Sequence, residues 1–198
     1  MSIVVEHEKR RKKILEKALF VFIDEGFENT TFQKIADYCG ITRTTLYTYF
    51  KNKKEIFIYS IKQLLVEIEE GIQRIRRDAS LSSVEKITRV LSDIFRHLEE
   101  HRRLLAVLLD YLLFLSKSNV DPEQRVRRRT LKLRHILASM VIEGVKSGEL
   151  KTVNIKTAND YLYSLIEAAI FHLVVLQRKT VGDLRKTAAF AIKQLAVA

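Results

Sequence analysis

The residues best suited to chemistry lie between Thr30 and Glu55, in a segment rich in hydroxyl side chains and tyrosines. Between Asp37 and Glu55 this segment has no acidic residue, so no carboxylate there repels a phosphate group. Hydroxyl groups and lysines bind phosphate oxygens, whereas an arginine such as Arg43 pairs with the edge of guanine. The composition of the segment therefore predicts a surface for nucleic acid.

Two short helices are predicted to position these side chains. Thr31 and Thr42 are typical N-cap residues, and Gly40 is suited to end the first helix. Leu46 and Phe50 are four residues apart and are predicted to point inward from the second helix. A helix-turn-helix has this spacing, and its second helix enters the major groove of DNA. An ordinary helical hairpin with a solvated polar face is the alternative. In either case the outward side chains are those of Arg43, Thr44, Tyr47 and Thr48.

The helical spacing of apolar residues continues along the chain and predicts an all-α protein. One proline and six glycines in 198 residues favour long helices. We expect an N-terminal module of three short helices at 1–52 and a helical body at 53–198. Two nearly all-apolar stretches, Leu104–Leu115 and Tyr161–Leu176, are expected at the centre of that body. Its helices are predicted at about 53–77, 84–99, 102–116, 122–147, 155–178 and 183–197.

Composition limits the classes of protein and of partner. The 35 basic and 24 acidic residues give a formal net charge of +11, which favours an anionic partner. Only 11 of those basic and 8 of those acidic residues fall in 1–57, so local placement, not net charge, supports DNA binding. A single cysteine excludes a disulfide framework. Leu104–Leu115 would span about 18 Å as a helix, too short for a bilayer. No targeting segment is recognised, so we expect a cytoplasmic protein without a membrane partner.

One set of residues, at its particular spacings, covers about a quarter of the chain: Ile14, Ala18, Phe22, Gly26, Phe27, Thr30, Thr31, Ile35, Ala36, Gly40, Ile41, Thr42, Thr45, Leu46, Tyr47, Phe50, Lys53 and Glu55. In this set the sequence resembles the TetR family of bacterial transcriptional repressors. Two residues depart from the family pattern: Cys39 stands where a small residue such as alanine is usual, and Thr44 where glycine is frequent. The first predicts a small buried thiol, and the second bears on which DNA sequence is read.

The resemblance implies a homodimeric, ligand-responsive regulator, most often a repressor, that binds a palindromic operator in double-stranded DNA. A small-molecule effector would release it. Base contacts are implied for Arg43 and Thr44. The basic run Lys9–Lys13 either follows the DNA as an arm or is a solvated helix start. Phosphate contacts are implied for Thr31, Thr42, Thr45, Tyr47, Tyr49 and Lys53, and either kind of contact for Gln33 and Thr48.

The resemblance further implies that residues 53–198 bind the effector and form the dimer. Polar groups embedded in apolar sequence, together with nearby aromatic residues, are the candidates for ligand binding: Asp110, Tyr111, Phe114, His135, Tyr163 and Glu167. The last two helices would pair with those of a second subunit through Ala168, Phe171, His172, Leu176, Phe190 and Leu195. The basic run between Arg125 and Arg134 is either a solvated face or attracts an acidic or acyl-thioester effector.

No catalytic set and no cofactor motif is found, so an enzyme is not predicted. His97 and His101 are four residues apart and would suit a shared metal ion, but no carboxylate partner is evident, and we predict no metal. Two other classes stay open. One is a DNA-binding protein without sequence preference, and the other is a helical carrier or enzyme that keeps the module for structure only.

Overall fold

The computed structural model describes residues 2–117 and 123–197, with the backbone alone for 2–4 and 123–129. Across those ranges the chain folds into nine helices without a β-strand, which confirms the all-α prediction. The predicted ends differ most at α8, which ends at Val174 and not at 178. The helices are α1 Ser2–Asn29, α2 Phe32–Cys39, α3 Arg43–Tyr47, α4 Lys53–Arg77, α5 Ser83–Glu100, α6 Arg102–Lys117, α7 Glu123–Lys146, α8 Ile155–Val174 and α9 Gly182–Leu195.

The ends of the first helices follow from local chemistry. Gly26 interrupts α1 with φ 76° and ψ 168°, a backbone conformation that is essentially restricted to glycine. The side chain of Thr31 caps α2, which ends at Gly40 in the left-handed conformation with φ 69°. Thr42 caps α3 in the same way as Thr31 caps α2. The helix end predicted at Gly40 is therefore confirmed, whereas α1 continues past its kink at Gly26 to Asn29.

One compact unit consists of residues 1–67 and 106–111, here called the N-terminal unit. Its core is aromatic: the rings of Phe22 and Phe57 are 4.8 Å apart, and that of Tyr111 lies 4.4 Å from the ring of Phe27. Helix α4 packs on α1 through a buried hydrogen bond from the hydroxyl of Ser60 to a carbonyl of α1. The unit thus extends along α4 past the boundary predicted at 52/53. The division of function at that boundary stays a prediction.

The other compact unit, here called the C-terminal unit, comprises residues 68–105 and 112–198. Helix α5 contacts α7, α8 and α9, and its residues Ile87, Val90 and Leu91 are fully or almost fully buried. A capping box between Ser82 and Glu85 starts this helix. The amphipathic helices around α5 therefore close a single apolar core.

The central position expected for Leu104–Leu115 is wrong. Only one stripe of this stretch is buried, and residues 106–111 belong to the N-terminal unit. Leu113 is 62% exposed and Phe114 is 41% exposed. An all-apolar sequence does not reveal which of its faces will be covered, because helical phase cannot distinguish equally apolar sides.

Some expectations fall outside the described residues. They concern a helix start at Pro122 and the side chains of the basic run from Arg125 to Arg129. Among the residues that are described, no helix is long and apolar enough to cross a bilayer.

Candidate nucleic-acid interface

The turn between α2 and α3 is built almost entirely from local hydrogen bonds. The backbone N–H of Gly40 donates to the carbonyl of Asp37, and that of Ile41 donates to the carbonyl of Ala36, both at 3.0 Å. The hydroxyl of Thr42 accepts a hydrogen bond from the N–H of Thr45 at 3.1 Å. Inward residues anchor the two helices, since Ile35, Ala36 and Leu46 have no exposed surface. The predicted helix-turn-helix is therefore present.

The outward face of α3 carries an ordered arginine–aromatic group. A terminal nitrogen of Arg43 donates to the hydroxyl of Tyr47 at 3.2 Å, and the ring of Tyr47 lies 4.4 Å from that of Phe32. Tyr47 is nevertheless 50% exposed. This arrangement holds Arg43 along α3 while it leaves most guanidinium donors available. Sequence reasoning missed Phe32, because no periodic pattern links it to Tyr47.

The other predicted contact residues lie on or beside this face. Thr45 and Tyr49 are half-buried, and the side chain of Thr48 donates to the carbonyl of Thr45. The amide of Gln33 donates to the carboxylate of Asp37 at 2.7 Å, so a contact with DNA requires that exposed bond to open. The exposed members of the predicted set are Thr31, Gln33, Thr42, Arg43, Thr44, Tyr47 and Thr48.

The ammonium group of Lys53 lies at the end of α1 in the structure, and the phosphate contact expected from the sequence stays a prediction. Its Nζ donates to the carbonyls of Phe27, Glu28 and Thr30 at 2.9, 2.7 and 2.8 Å. It also lies 5.0 Å from the centre of the Phe27 ring. Partial burial lowers the pKa of Lys53, and the nearby charge of Glu28 opposes that effect. All three ammonium hydrogens are thus used at the end of α1.

The basic run Lys9–Lys13 lies within α1 and so does not form a separate arm. Arg11 packs over the rings of Phe50 and Tyr59, and Lys12 faces Glu67 at 3.5 Å. Arg10 lines a shallow groove with Asp37, Gly40, Ile41, Thr42 and Thr45. Arg10 therefore joins the candidate interface, a position that its four-residue spacing from the buried Ile14 would have indicated.

Cys39 behaves as the small thiol that the sequence predicts. It is half-buried, and its sulfur lies 4.0 Å from the carbonyl oxygen of Ile14. Burial raises the pKa of the Cys39 thiol, and the charge of Lys17 opposes this rise. A raised pKa lowers the thiolate fraction, so the residue is poorly suited to nucleophilic chemistry.

The candidate ligand residues fall in both units. Asp110 and Tyr111 belong to the N-terminal unit, whereas Phe114, His135, Tyr163 and Glu167 belong to the C-terminal unit. Asp110, His135 and Glu167 interrupt apolar sequence, but each lies on the exposed side of its helix. Tyr163 is buried, and the guanidinium of Arg134 lies 4.1 Å from the centre of its ring. A role in ligand binding stays a prediction for all six.

The candidate dimer residues include three large exposed side chains. Phe171 is 51% exposed, Leu176 is 48% exposed and Phe190 is 62% exposed. Ala168, His172 and Leu195 are half-buried. An exposed apolar set of this size on two adjacent helices is typical of a surface that another protein covers.

Comparison with known proteins agrees with this geometry. Residues 14–59, which include α2 and α3, match the model of the family described as bacterial regulatory proteins, tetR family. The fatty acid metabolism regulator protein of Bacillus subtilis is 27% identical over 175 residues, covering 87% of this chain and 88% of that protein.

Two solved structures extend the likeness over nearly the whole chain. The transcriptional regulator FadR of Bacillus subtilis, in complex with stearoyl-CoA, has a TM-score of 0.69 and 26% identity, covering 93% of this chain and 96% of that chain. A TetR transcription regulator from Haloarcula marismortui has a TM-score of 0.83 at 17% identity, covering 96% and 100%, and shows the shared fold. The helix-turn-helix, the all-α body and these likenesses together support the TetR family of bacterial transcriptional regulators for this chain.

Proposed function

We propose that the protein is a homodimeric repressor that binds a palindromic operator with α3 in the major groove and is released by a small-molecule effector. The observation that supports this proposal best is the exposed face of α3 and of the turn before it, which carries no acidic residue. Arg43 and Thr44 are exposed there, where they would read bases, and the hydroxyl groups around them would bind phosphates. The proposal assigns a binding role to the protein, in the cytoplasm, and no catalytic one.

The contacts that hold the side chains on the outward face of α3 support sequence-specific binding. Arg43 is held by Tyr47, and the ring of Tyr47 in turn packs against that of Phe32, so the guanidinium loses little conformational freedom when it meets a base. Arg10 adds a positive charge beside the α2–α3 turn. A flexible basic surface would instead bind every sequence with similar affinity.

An apolar stripe on α8 supports the dimer. Tyr161, Ala168, Phe171 and Val175 follow each other at helical spacing, and the three larger side chains are 44%, 51% and 58% exposed. Phe190 of α9 is also exposed. Pairing these helices across a two-fold axis would remove the apolar groups from water and supply two reading helices for a palindrome.

Long-chain acyl-CoA is the first effector class to test. The Bacillus subtilis relative is named a fatty acid metabolism regulator, and the FadR structure contains stearoyl-CoA. Residues 58–198 carry 24 basic and 16 acidic residues, a balance that suits the anionic end of such a ligand. Binding must favour a conformer with lower DNA affinity, and a few kcal/mol of coupling is sufficient.

The direct test is fluorescence anisotropy with the DNA upstream of the protein's own gene and a random duplex of equal length. Sequence-specific regulators prefer their site by about a thousandfold or more, with a steep dependence on salt. Adding stearoyl-CoA is expected to weaken operator binding. Equal binding to both duplexes, followed by failure to enrich a site from genomic fragments, would contradict a sequence-specific regulator.

Two substitutions separate base reading from general attraction. Arg43→Ala is expected to cost about 1–3 kcal/mol on the operator and to reduce the preference over random DNA. Lys54→Ala removes an exposed charge of the same sign nearby and is expected to leave that preference unchanged. If both variants lose equally on both duplexes, Arg43 does not read a base.

Sedimentation tests the dimer independently of DNA. Phe171→Asp places a charge in the proposed interface and is expected to give monomers at concentrations where the wild type is dimeric. Leu113→Asp, at an equally exposed apolar position on α6, is the matched control and is expected to remain dimeric. Dimers in both variants would place the interface elsewhere.

A further inference from the structure

The C-terminal end of α5 brings together two histidines and a carboxylate within the C-terminal unit. One potential ligand atom each from His97, Glu100 and His101 lies within 4.8 Å of the others. The imidazole rings are nearly parallel, with centroids 6.2 Å apart and planes inclined by 9°. Asp93 is one turn earlier on the same face, with an oxygen 3.5 Å from Nε2 of His97. The four side chains thus form a row along one side of the helix.

The hydrogen bonding of His97 is incomplete. Nε2 lies 3.0 Å from a terminal nitrogen of Arg96, which only donates, so Nε2 accepts and Nδ1 carries the ring proton. Nδ1 is buried and makes no hydrogen bond. Oε2 of Glu100 lies 3.6 Å away from it. A buried polar atom without a partner costs free energy and calls for an explanation.

We propose that His97, Glu100 and His101 bind a divalent transition-metal ion of the zinc class. Imidazole nitrogen and carboxylate oxygen are ligands that zinc accepts, and three protein ligands leave one position for water. With Nδ1 as the ligand, the proton of His97 moves to Nε2, which then faces Asp93. A carboxylate that receives the second N–H of a metal-bound histidine is a frequent arrangement in such sites.

The distances require only side-chain adjustment. Ligand atoms about 2.0–2.1 Å from a tetrahedral zinc ion are roughly 3.3 Å from one another. The potential ligand atoms of the three side chains lie within 4.8 Å of one another, so they must move closer together to bind the ion. Glu100 is exposed and His101 is half-buried, and both lie at the end of the helix. The sequence had left the two histidines without a carboxylate, and Glu100 now supplies it.

In the structure, the guanidinium of Arg96 supplies the positive charge beside these carboxylates. Its guanidinium binds Asp93 and both oxygens of Glu100, and its side chain is 48% exposed. A metal ion would replace one positive charge between these carboxylates with another, while Arg96 turns into water. Removal of this guanidinium is therefore expected to tighten metal binding, an effect that a purely structural cluster would not produce.

The test uses the purified full-length protein without an affinity tag, after dialysis against a chelator. Competition with a chromophoric chelator measures zinc binding, and Co²⁺ absorption reports the coordination geometry. One ion per chain is expected for the wild type and for His135→Gln, an exposed histidine on α7. His97→Gln and His101→Gln are expected to bind at least about 10-fold more weakly, since even outer partners of a metal site contribute 10–100-fold.

Two exposed positions keep the test valid if a histidine variant misfolds. Glu100→Gln preserves shape but removes the carboxylate, and it is expected to weaken zinc binding. Arg96→Gln is expected to strengthen it, with circular dichroism confirming the helical fold of each variant. Absence of zinc binding by the wild type, or equal binding by wild type and Glu100→Gln, would overturn the proposal.

Discussion

Replacing Lys53 by methionine would test whether this lysine stabilises the N-terminal unit or binds DNA. Methionine keeps a long apolar side chain against the ring of Phe27 but removes the ammonium group. The carbonyls of Phe27, Glu28 and Thr30 then lose their common donor. The end of α1, the buried Thr30 and the start of α4 would no longer be tied together.

The magnitude follows from the number of hydrogen bonds and from their exposure. A hydrogen bond to a charged group contributes about 1.5–3 kcal/mol when it is protected from water. Here Glu28 is exposed and Lys53 is half-buried, so water replaces part of what is lost. We expect Lys53→Met to lower the free energy of unfolding by about 2–4 kcal/mol, counting a small contribution from the lost cation–π contact.

Urea unfolding followed by circular dichroism measures this change. The midpoint is expected to fall without a change in the slope m, because the surface exposed on unfolding stays the same. Lys54→Met is the matched control, since Lys54 is the next residue of the same helical turn and is exposed. Its free energy of unfolding is expected to stay within about 0.5 kcal/mol of the wild-type value.

DNA binding supplies the result that would refute this reasoning. Each phosphate contact contributes about 0.9 to the slope of log K against log salt. At a temperature where both proteins are folded, Lys53→Met is expected to retain the wild-type slope. A reduced slope together with an unchanged unfolding midpoint would show that Lys53 binds phosphate and that its three carbonyl contacts contribute little.

Further predictions concern the backbone at Gly26 and the charge of Glu99. Gly26→Ala is expected to destabilise the protein by about 1–3 kcal/mol from backbone strain alone, because no atom lies within 4 Å of the added Cβ. Gly71→Ala, inside α4 and with its nearest neighbour at 3.6 Å, is the control and is expected to be neutral or stabilising by up to about 1 kcal/mol. Thermal unfolding of the two variants would contradict the assignment of strain if both shift alike. Burial raises the pKa of Glu99, but hydrogen bonds from Val181 N–H and Arg185 outweigh this and hold the pKa below its ordinary value. Its charge therefore stabilises the fold above the unfolded pKa of about 4.3, and this contribution is lost as the pH falls through the folded pKa. Glu99→Gln is expected to cost about 1–2 kcal/mol at neutral pH and little in acid, whereas a constant difference across pH would contradict a role for the charge.

The fold and the helix-turn-helix were largely predictable because their signals are local. Thr31 and Thr42 satisfy backbone donors within three residues, and Gly40 provides a left-handed helix end. Leu46 and Phe50 reveal the inward face of α3 through their spacing. Such features depend on the chain near each residue, so tertiary packing has little opportunity to override them.

The contacts and exposures that the sequence did not reveal depend on neighbours that are distant in the chain. Lys53 belongs to a basic stretch, and nothing in its spacing shows that three carbonyls from 23 to 26 residues earlier surround its ammonium. Asp110, His135 and Glu167 interrupt apolar sequence, yet each lies on the exposed side of its helix. A pattern of apolar residues gives the phase of a helix, but not which neighbour covers each face.

The all-α class, the helix-turn-helix, its outward face and the resemblance to the TetR family could all be inferred from the order of residues alone. Caps, glycine turns and helical periodicity are short-range properties, and they are written directly in the order of residues. Three contacts became visible only in the tertiary structure. Lys53 ties α1 to α4, and Tyr111 joins the aromatic core of the N-terminal unit. Glu100 turns towards the two histidines. These contacts depend on side-chain rotamers and on segments far apart in the chain, whose meeting is set by the packing of the whole core.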